Sequence, residues 1–388
     1  MKKKRWGRID VRYHALIVGA GPAGTTAARY IAQQGLAALV IEQQRIPRVK
    51  PCGGALTHRA LDLLPKGAES QFQEHPHQWT FQGTGQPPVT LSRDQAYCHI
   101  VERQYFDQSL SEAAERAGAT VHDGESVQKI GTQDQGVEIV TTEARYHADY
   151  LIGADGAYGP TARLMHIPRP RHGAALETEV VPPHSIWERY AGRVEVHIGP
   201  YSWGYAWVIP RNGILNIGVG SFRSNTFPLK QAFYQFVEQI LGHRNVTALA
   251  HPLPYRLSFA RPSQGRVLLA GDAAGLMDAF SAEGIYSALR SGAMAGNAVV
   301  KAVTKNVPLN DYDHQIYQEF WPSLKSAIKM GLLFYPLPGF WSKFFVKNQS
   351  LLSDYLDVAM GDLPYHVLQQ HTEKALLTRR PAALSWRR

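Results

Sequence analysis

The chain is poor in cysteine and has no long apolar run. Cys52 and Cys98 are its only two cysteines in 388 residues. Two thiols cannot form a disulfide framework, and such sparing use suits a reducing cytosol. No stretch reaches the roughly 18 consecutive apolar residues that suggest a spanning helix. There is no internal repeat and no low-complexity linker, which excludes a solenoid and a tethered array. No metal site is expected. Basic residues followed by ALIVGAGPAG imitate a secretion signal, but the run is short and interrupted by Gly and Pro. It is read instead as a strand entering a turn.

What the chain does have is positive charge and enough apolar residues for a core. The formal net charge is +9, with basic stretches in MKKKRWGR and RRPAALSWRR. Such ends are either solvated tails or a rim for an anionic substrate or membrane surface. No nucleic-acid module accompanies them, so nucleic acid is not an expected partner. Apolar residues make up 44% of the chain, enough for one large domain or two interleaved ones.

Periodicity predicts strands over 14–18 and 37–42 around a helix over 22–35, a single βαβ unit. Residues 55–64 read as helical, and 66–100 show no period. A helix follows Arg103 and closes at Gly118. Strands are expected over 120–121, 137–142 and 145–152. Residues 174–220 alternate like an antiparallel sheet, with Arg211-Asn212-Gly213 as a turn between two strands. A helix over 229–241 and a strand over 266–270 follow, then helices over 285–303 and 311–329. The segment beginning GLLFYPLPGFWSKFFVKNQ reads as helix-poor at first.

Two glycine-rich loops carry the chemistry. Gly19, Gly21 and Gly24 form G-x-G-x-x-G after a strand and before a helix, with Ala23 inside the loop. The first glycine permits the tight turn, the second lets a pyrophosphate approach, and the third lets helix and strand pack closely. Glu42 ends the next strand, where a carboxylate accepts from both adenosine ribose hydroxyls and repels a 2′-phosphate. The second loop, AGDAAGLMDAFSAEGI from Ala270 to Ile285, again lies between an apolar strand and a helix. Asp272 offers an acceptor, and the Glu283-Gly284-Ile285 turn offers amides at a helix N-terminus. A ligand gripped by loops so far apart in the chain is long, and FAD fits better than NAD. Arg103 opens R-x-x-F-D, and because a cation at a helix start is disfavoured, the residue is read as functional, its guanidinium reaching the cofactor from the side. Asp155-Gly156 follows a strand and supports the same region.

The order of GAGPAG, Glu42, RxxFD, GADG and GDAAG resembles FAD-dependent oxidoreductases of the para-hydroxybenzoate hydroxylase type. Lys50-Pro51-Cys52-Gly53-Gly54, Gly204-Tyr205-Ala206-Trp207-Val208-Ile209-Pro210 and GDAAG…EGIYSAL resemble the geranylgeranyl reductase family in particular. The likeness covers residues 14–300 and loosens beyond. It implies a mixed α/β fold, with a Rossmann-like FAD-binding domain over 10–65, 95–165 and 262–305. An antiparallel-sheet substrate domain is inserted over 66–94 and 166–261, and a mostly helical region follows over 306–388.

The resemblance also implies the site. FAD contacts fall on Gly19, Gly21, Ala23, Gly24, Glu42, Cys52, Gly53, Gly54, Ala55, Arg103, Val127, Asp272, Gly284 and Ile285. The implied activity is saturation of C=C bonds in an isoprenoid chain: geranylgeranyl diphosphate, a prenylated lipid, a chlorophyll precursor or a quinone. Cys52 and Tyr205 are candidate proton donors, and Trp207 lines the substrate path. Lys50 is placed to meet a diphosphate. No separate NADPH domain is visible, so NADPH binds transiently or a ferredoxin donates electrons. The expected partners are therefore a hydrophobic prenyl substrate, with or without an anionic head group, and an electron-donor protein. Leu332–Val346 mixes aromatics with Lys343, a composition suited either to a membrane surface or to late core packing.

The chain departs from the family where Ala279 replaces Pro and Ala282 replaces Gly. Two other readings share the fold. One is a flavin monooxygenase or halogenase, because YAWVIP is one residue from W-x-W-x-I-P and Lys66 can be proposed as the halogenase lysine. The other is an electron-transfer flavoprotein without a substrate of its own.

Overall fold

The computed structural model describes residues 8–133, 136–199, 201 and 203–377. The basic segments 1–7 and 378–388 lie outside the described residues. An eight-stranded sheet organises the first layer. Its spine is parallel, in the order Val267–Leu269, Arg145–Gly153, Arg8–Val18, Ala38–Glu42, Thr120–Asp123. Ala15–Val18 pair with Ala38–Ile41 on one side and Tyr150–Gly153 on the other. The central segments 15–18, 38–41 and 151–153 carry no polar side chain and are buried, as expected where helices cover a parallel sheet. The helices Pro22–Ala32 and Ile285–Lys305 press against each other at small residues. A Cβ on Gly24 would lie 1.9 Å from the Gly19 carbonyl oxygen, and one on Gly292 would lie 2.2 Å from that of Ala23. Glycine at 24 and 292 is therefore a steric requirement of the close approach.

A seven-stranded sheet forms the second layer, in the order 249–255, 171–180, 214–221, 204–211, 193–198, 78–83, 89–92. It is antiparallel except where Arg193–Ile198 runs parallel to Gln78–Gly83. The expected turn is present: Asn212 (φ 43°) and Gly213 (φ 81°) join Gly204–Arg211 to Ile214–Ser221. Helix Leu229–Leu241 buries Phe233, Phe236 and Val237 on one face of this sheet. The four C-terminal helices, Asn310–Phe334, Pro338–Lys347, Gln349–Met360 and Tyr365–Leu377, share a core with its other side.

The structure corrects four local expectations. Helix in 55–64 is confined to His58–Leu61, because Ala55–Leu56 pair with His99–Val101 as a strand. Residues 66–100, aperiodic in sequence, hold four short strands, each too brief to show alternation. Val127–Gln133 is an additional strand, paired with Gly136–Thr141. The segment read as helix-poor forms Pro338–Lys347 directly after a short turn. Pro338 fits the first helical turn, and Phe334, Trp341 and Phe345 stack inside it, with centroids 4.1 and 5.4 Å from that of Phe334.

Trp341 is among the largest fully buried side chains. Trp341→Ala is expected to lower the unfolding free energy by about 3–5 kcal/mol, the usual cost of emptying such a site. Urea denaturation read by far-UV circular dichroism measures this.

Candidate active site

One cavity of about 830 Å³ runs between the two sheets and under the C-terminal helices. Its first end is a dinucleotide cradle. Gly19 (φ 100°) turns the chain out of its strand, and Gly21, open to the cavity, is the uncapped N-cap of helix Pro22–Ala32. Glu42 is buried, with its carboxylate accepting from the Ala20 amide (2.9 Å) and the Gln44 amide (3.0 Å). Arg48 lies 3.4 Å from that carboxylate and donates to Asp107. Asp155 accepts from the Thr161 amide through Oδ2, while its buried Oδ1 has no partner. Burial raises the Asp155 pKa. At the second loop, Gly284 is the uncapped N-cap of helix Ile285–Lys305 and faces the cavity beside Asp272. An open glycine turn, two helix N-termini that begin at cavity-lining glycines, a buried acceptor on the second strand and an orphaned carboxylate oxygen fit a bound FAD.

Nearly every residue expected at the site lines this cavity: Gly19, Gly21, Ala23, Glu42, Cys52, Gly53, Gly54, Ala55, Arg103, Val127, Asp272, Gly284 and Ile285, and with them Tyr205 and Trp207. Gly24 does not line it and acts through packing. Lys66 is exposed and lies away from the cavity lining.

The middle of the cavity holds a polar cluster. Arg103 is buried and grips Asp107 through two bonds, of 2.8 and 2.9 Å. Desolvation opposes the charge of Arg103, but Asp107 and Cys52 outweigh it and raise its pKa, so it stays cationic. The partner explains why a cation is tolerated at the helix start. Burial and then Arg103 lower the pKa of Lys50, and burial with Lys50 lowers that of His251. These basic groups stand together in the cluster, on its cradle side.

Cys52 sits at the centre, with its Sγ accepting the Gly54 amide at 3.4 Å. Gly54 (φ 75°) has no room for a side chain, since a Cβ would lie 2.0 Å from the Val101 carbonyl oxygen. The other cysteine, Cys98, is fully buried, and desolvation pushes its thiol up to about 12. It has no part in the site.

Glu177 escaped the sequence reading. It is 2% exposed, lines the cavity, and accepts through Oε1 from the Cys52 amide (2.6 Å) and from Asn216 (3.2 Å). Asn216 in turn accepts from Trp207 Nε1 at 2.7 Å. Burial pushes the Glu177 carboxyl up to about 7. The available signal was a pair of carboxylates, Glu177 and Glu179, at alternate positions of the strand segment Ala174–Val180. Tyr205 donates its hydroxyl to the Ser281 carbonyl at 2.7 Å, and burial raises its pKa. That hydroxyl ties the second sheet to the flavin loop. The Trp207 ring lies where a Cβ on Gly218 would come within 2.1 Å of it, so glycine makes its space.

The far end of the cavity is apolar. Trp79, Phe81, Val194, Val196 and Phe222 line it from the sheet, and Tyr355, Leu356, Ala359 and Met360 from the helix Gln349–Met360.

A model of the FAD-binding domain family matches residues 12–206. The chain is 28% identical over 350 residues to the digeranylgeranylglycerophospholipid reductase of Thermoplasma acidophilum, covering 82% of this chain and 84% of that protein. It is also 28% identical over 358 residues to the chloroplastic geranylgeranyl diphosphate reductase of Oryza sativa, covering 84% and 75%. The chain belongs to the FAD-binding domain family as an FAD-dependent oxidoreductase, and these relatives, similar to it over most of its length, are geranylgeranyl reductases. In fold it is similar to a geranylgeranyl bacteriochlorophyll reductase-like protein from Thermoplasma acidophilum (TM-score 0.73, 22% identity, 95% of this chain and 97% of that one). A flavin-dependent brominase shares the fold as well (TM-score 0.71, 15% identity, 95% and 100%).

Ala282 adopts φ 59° beside the cavity, in the left-handed region where glycine is at ease. Ala282→Gly removes that strain and is expected to raise stability by about 1 kcal/mol, measured by urea denaturation. Glu177 supplies a pH test. Its folded pKa of about 7 lies above the unfolded value of about 4.3. The stability it contributes is therefore complete below about pH 4 and lost as the pH rises through 7. Unfolding free energies at several pH values between those limits should fall in the parent protein and fall less in Glu177→Gln.

Proposed function

We propose that the protein is an FAD-dependent reductase that saturates C=C bonds of an isoprenoid chain. The observation that carries this reading is the single cavity, in which a dinucleotide cradle and a long apolar arm meet at Cys52, Glu177 and Trp207. The names of the relatives, reductases of geranylgeranyl diphosphate and of a digeranylgeranyl lipid, support it. When bound and reduced, FAD supplies a hydride, from N5, to one alkene carbon.

The chain supplies the rest. Aromatic and aliphatic walls bind the isoprenoid and exclude water, which an unactivated alkene requires. Trp207 is held by Asn216 and positions the chain against the central cluster. The partner carbon needs a proton. Cys52 Sγ lies at the junction of the two ends as the candidate donor, and the Glu177 carboxyl, protonated up to about pH 7, holds a proton beside it. Tyr205, whose hydroxyl donates to the Ser281 carbonyl at 2.7 Å, holds the loop and is the second candidate donor. Candidate substrates are geranylgeranyl diphosphate, a prenylated lipid, a chlorophyll precursor and a quinone. The electron donor is NADPH or a ferredoxin.

Anaerobic incubation of the chemically reduced, FAD-loaded protein with geranylgeranyl diphosphate, and separately with a menaquinone, tests the reading by mass spectrometry. A gain of two hydrogens per reduced bond is expected. Cys52→Ala should slow it at least about tenfold, the lower range for loss of an acid catalyst, while FAD stays bound. No mass gain with either substrate contradicts the proposal. A product that needs halide and O₂ would support the halogenase reading instead.

A further inference from the structure

Eleven large hydrophobic side chains are exposed among the described residues, and four of them gather at one corner of the fold. Leu332 (55% exposed) and Leu333 (42%) end the helix Asn310–Phe334. Leu337 (59%) occupies the turn, and Phe340 (49%) lies in the first turn of Pro338–Lys347. Scattered exposed apolar residues need no explanation, but a contiguous group does.

The surroundings of this corner are one-sided in charge. No acidic residue lies between Glu319 and Asp354, while Lys325, Lys329, Lys343 and Lys347 all do, and all four are exposed. Lys329 precedes Leu332 and Leu333 by one helical turn, and Lys343 and Lys347 follow Phe340 by one and two turns. The spacing puts lysines on both flanks of the apolar tip, on the faces that carry it. None of the four makes an ion pair with a described residue.

The corner is also rigidly backed. Phe334, Trp341, Phe344 and Phe345 point inward and are buried, so the exposed residues are the outer face of a packed helix pair. Ser342, on the inner face of the second helix, abuts Gly83 of the second sheet; a Cβ there would lie 2.4 Å from the Ser342 Cβ. Among the described residues no helix is long and apolar enough to cross a membrane. An apolar tip ringed by cations has the makeup of an interfacial anchor: side chains enter the boundary of the acyl region and lysines meet lipid phosphates.

We propose that the helix corner Leu332–Phe340 docks the protein on an anionic lipid bilayer. The helix that follows it, Gln349–Met360, lines the apolar arm of the cavity, so docking brings a lipid chain near the arm. Binding at this corner stands whether or not the cavity reduces a prenyl chain, and its test reads no turnover.

The test is flotation of the full-length, FAD-loaded protein with vesicles of phosphatidylcholine alone or of phosphatidylcholine and phosphatidylglycerol in 3:1 ratio. Strong association with the anionic vesicles is expected, at least tenfold weaker with neutral ones, and weakened by raised salt. Leu337→Glu with Phe340→Glu should abolish flotation. Lys343→Glu with Lys347→Glu should reduce it most at low salt. Retained FAD absorbance and an unchanged far-UV spectrum show that the variants are folded. Three results overturn the proposal: a parent protein that stays unbound, a folded Leu337/Phe340 variant that floats as well as the parent, or a dimer in size-exclusion chromatography that the same variant dissociates, which would give this face to a second copy of the chain.

Discussion

The carboxylate of Asp278 fastens the parts of this protein to one another. It is buried, and it accepts from the Phe280 and Ser281 amides at 2.8 Å each and from the Tyr365 hydroxyl at 2.7 Å. The two amides shape the loop that leads to Ala282 and Gly284. The tyrosine comes from the last described helix. Two further hydroxyls hold the same loop: Tyr335 donates to the Phe280 carbonyl and Tyr205 to the Ser281 carbonyl. The C-terminal helices and the second sheet thus converge on one short segment of the first domain. A buried charge of this kind is tolerable only because it is fully hydrogen-bonded. The same over-determination lets the next residues hold a strained conformation, with Ala282 at φ 59°.

This convergence explains the shape of the cavity. The cradle belongs to the parallel sheet and its glycine turns. The apolar arm belongs to the second sheet and to helix Gln349–Met360, and the clamped loop sets where they meet. Charge follows the same division. Arg48, Lys50 and Arg103 stand on the cradle side, where a dinucleotide carries its phosphates, beside a His251 that burial keeps uncharged, and the arm has aromatic and aliphatic walls. Between them Glu177 is buried enough to keep its proton near neutrality. Lowering the dielectric around the carboxyl outweighs the opposing pull of Asn216, the Cys52 amide and Arg211, and so keeps it neutral near pH 7.

Much of the cradle could be read from the chain because its determinants are local. Gly19, Gly21, Gly24 and Glu42 lie in one βαβ unit, and Asp272 to Ile285 in one loop, so their spacing carries the geometry. The observed φ of Ala282 fits the expectation that a family glycine stands at this position. The arm could not be read this way. Trp79 and Val196 come from two strands, Phe222 from the turn after a third and Leu356 from a helix, and only long-range strand pairing and helix packing bring them to one wall. Glu177 was missed because an acidic residue in a strand is ordinarily taken as solvent-facing. The short strands of 66–100 were missed because each is brief and its place is set by pairing, Phe72–Glu74 with His99–Val101 and Gln78–Gly83 with both Val89–Ser92 and the distant Arg193–Ile198. The helix Pro338–Lys347 was missed because its aromatic density masked a helical period that packing reveals.

The central claim is that the apolar arm opens directly onto the flavin end of the cavity. The most direct measurement is the visible spectrum of the oxidised, FAD-loaded protein titrated with a geranylgeranyl lipid in detergent. If the arm holds the chain against the cradle, the flavin bands shift on saturation, and Ala359→Trp, which fills the arm without touching the cradle, abolishes the shift while FAD remains bound. An unshifted spectrum at saturation, or a shift that survives Ala359→Trp, would contradict the account.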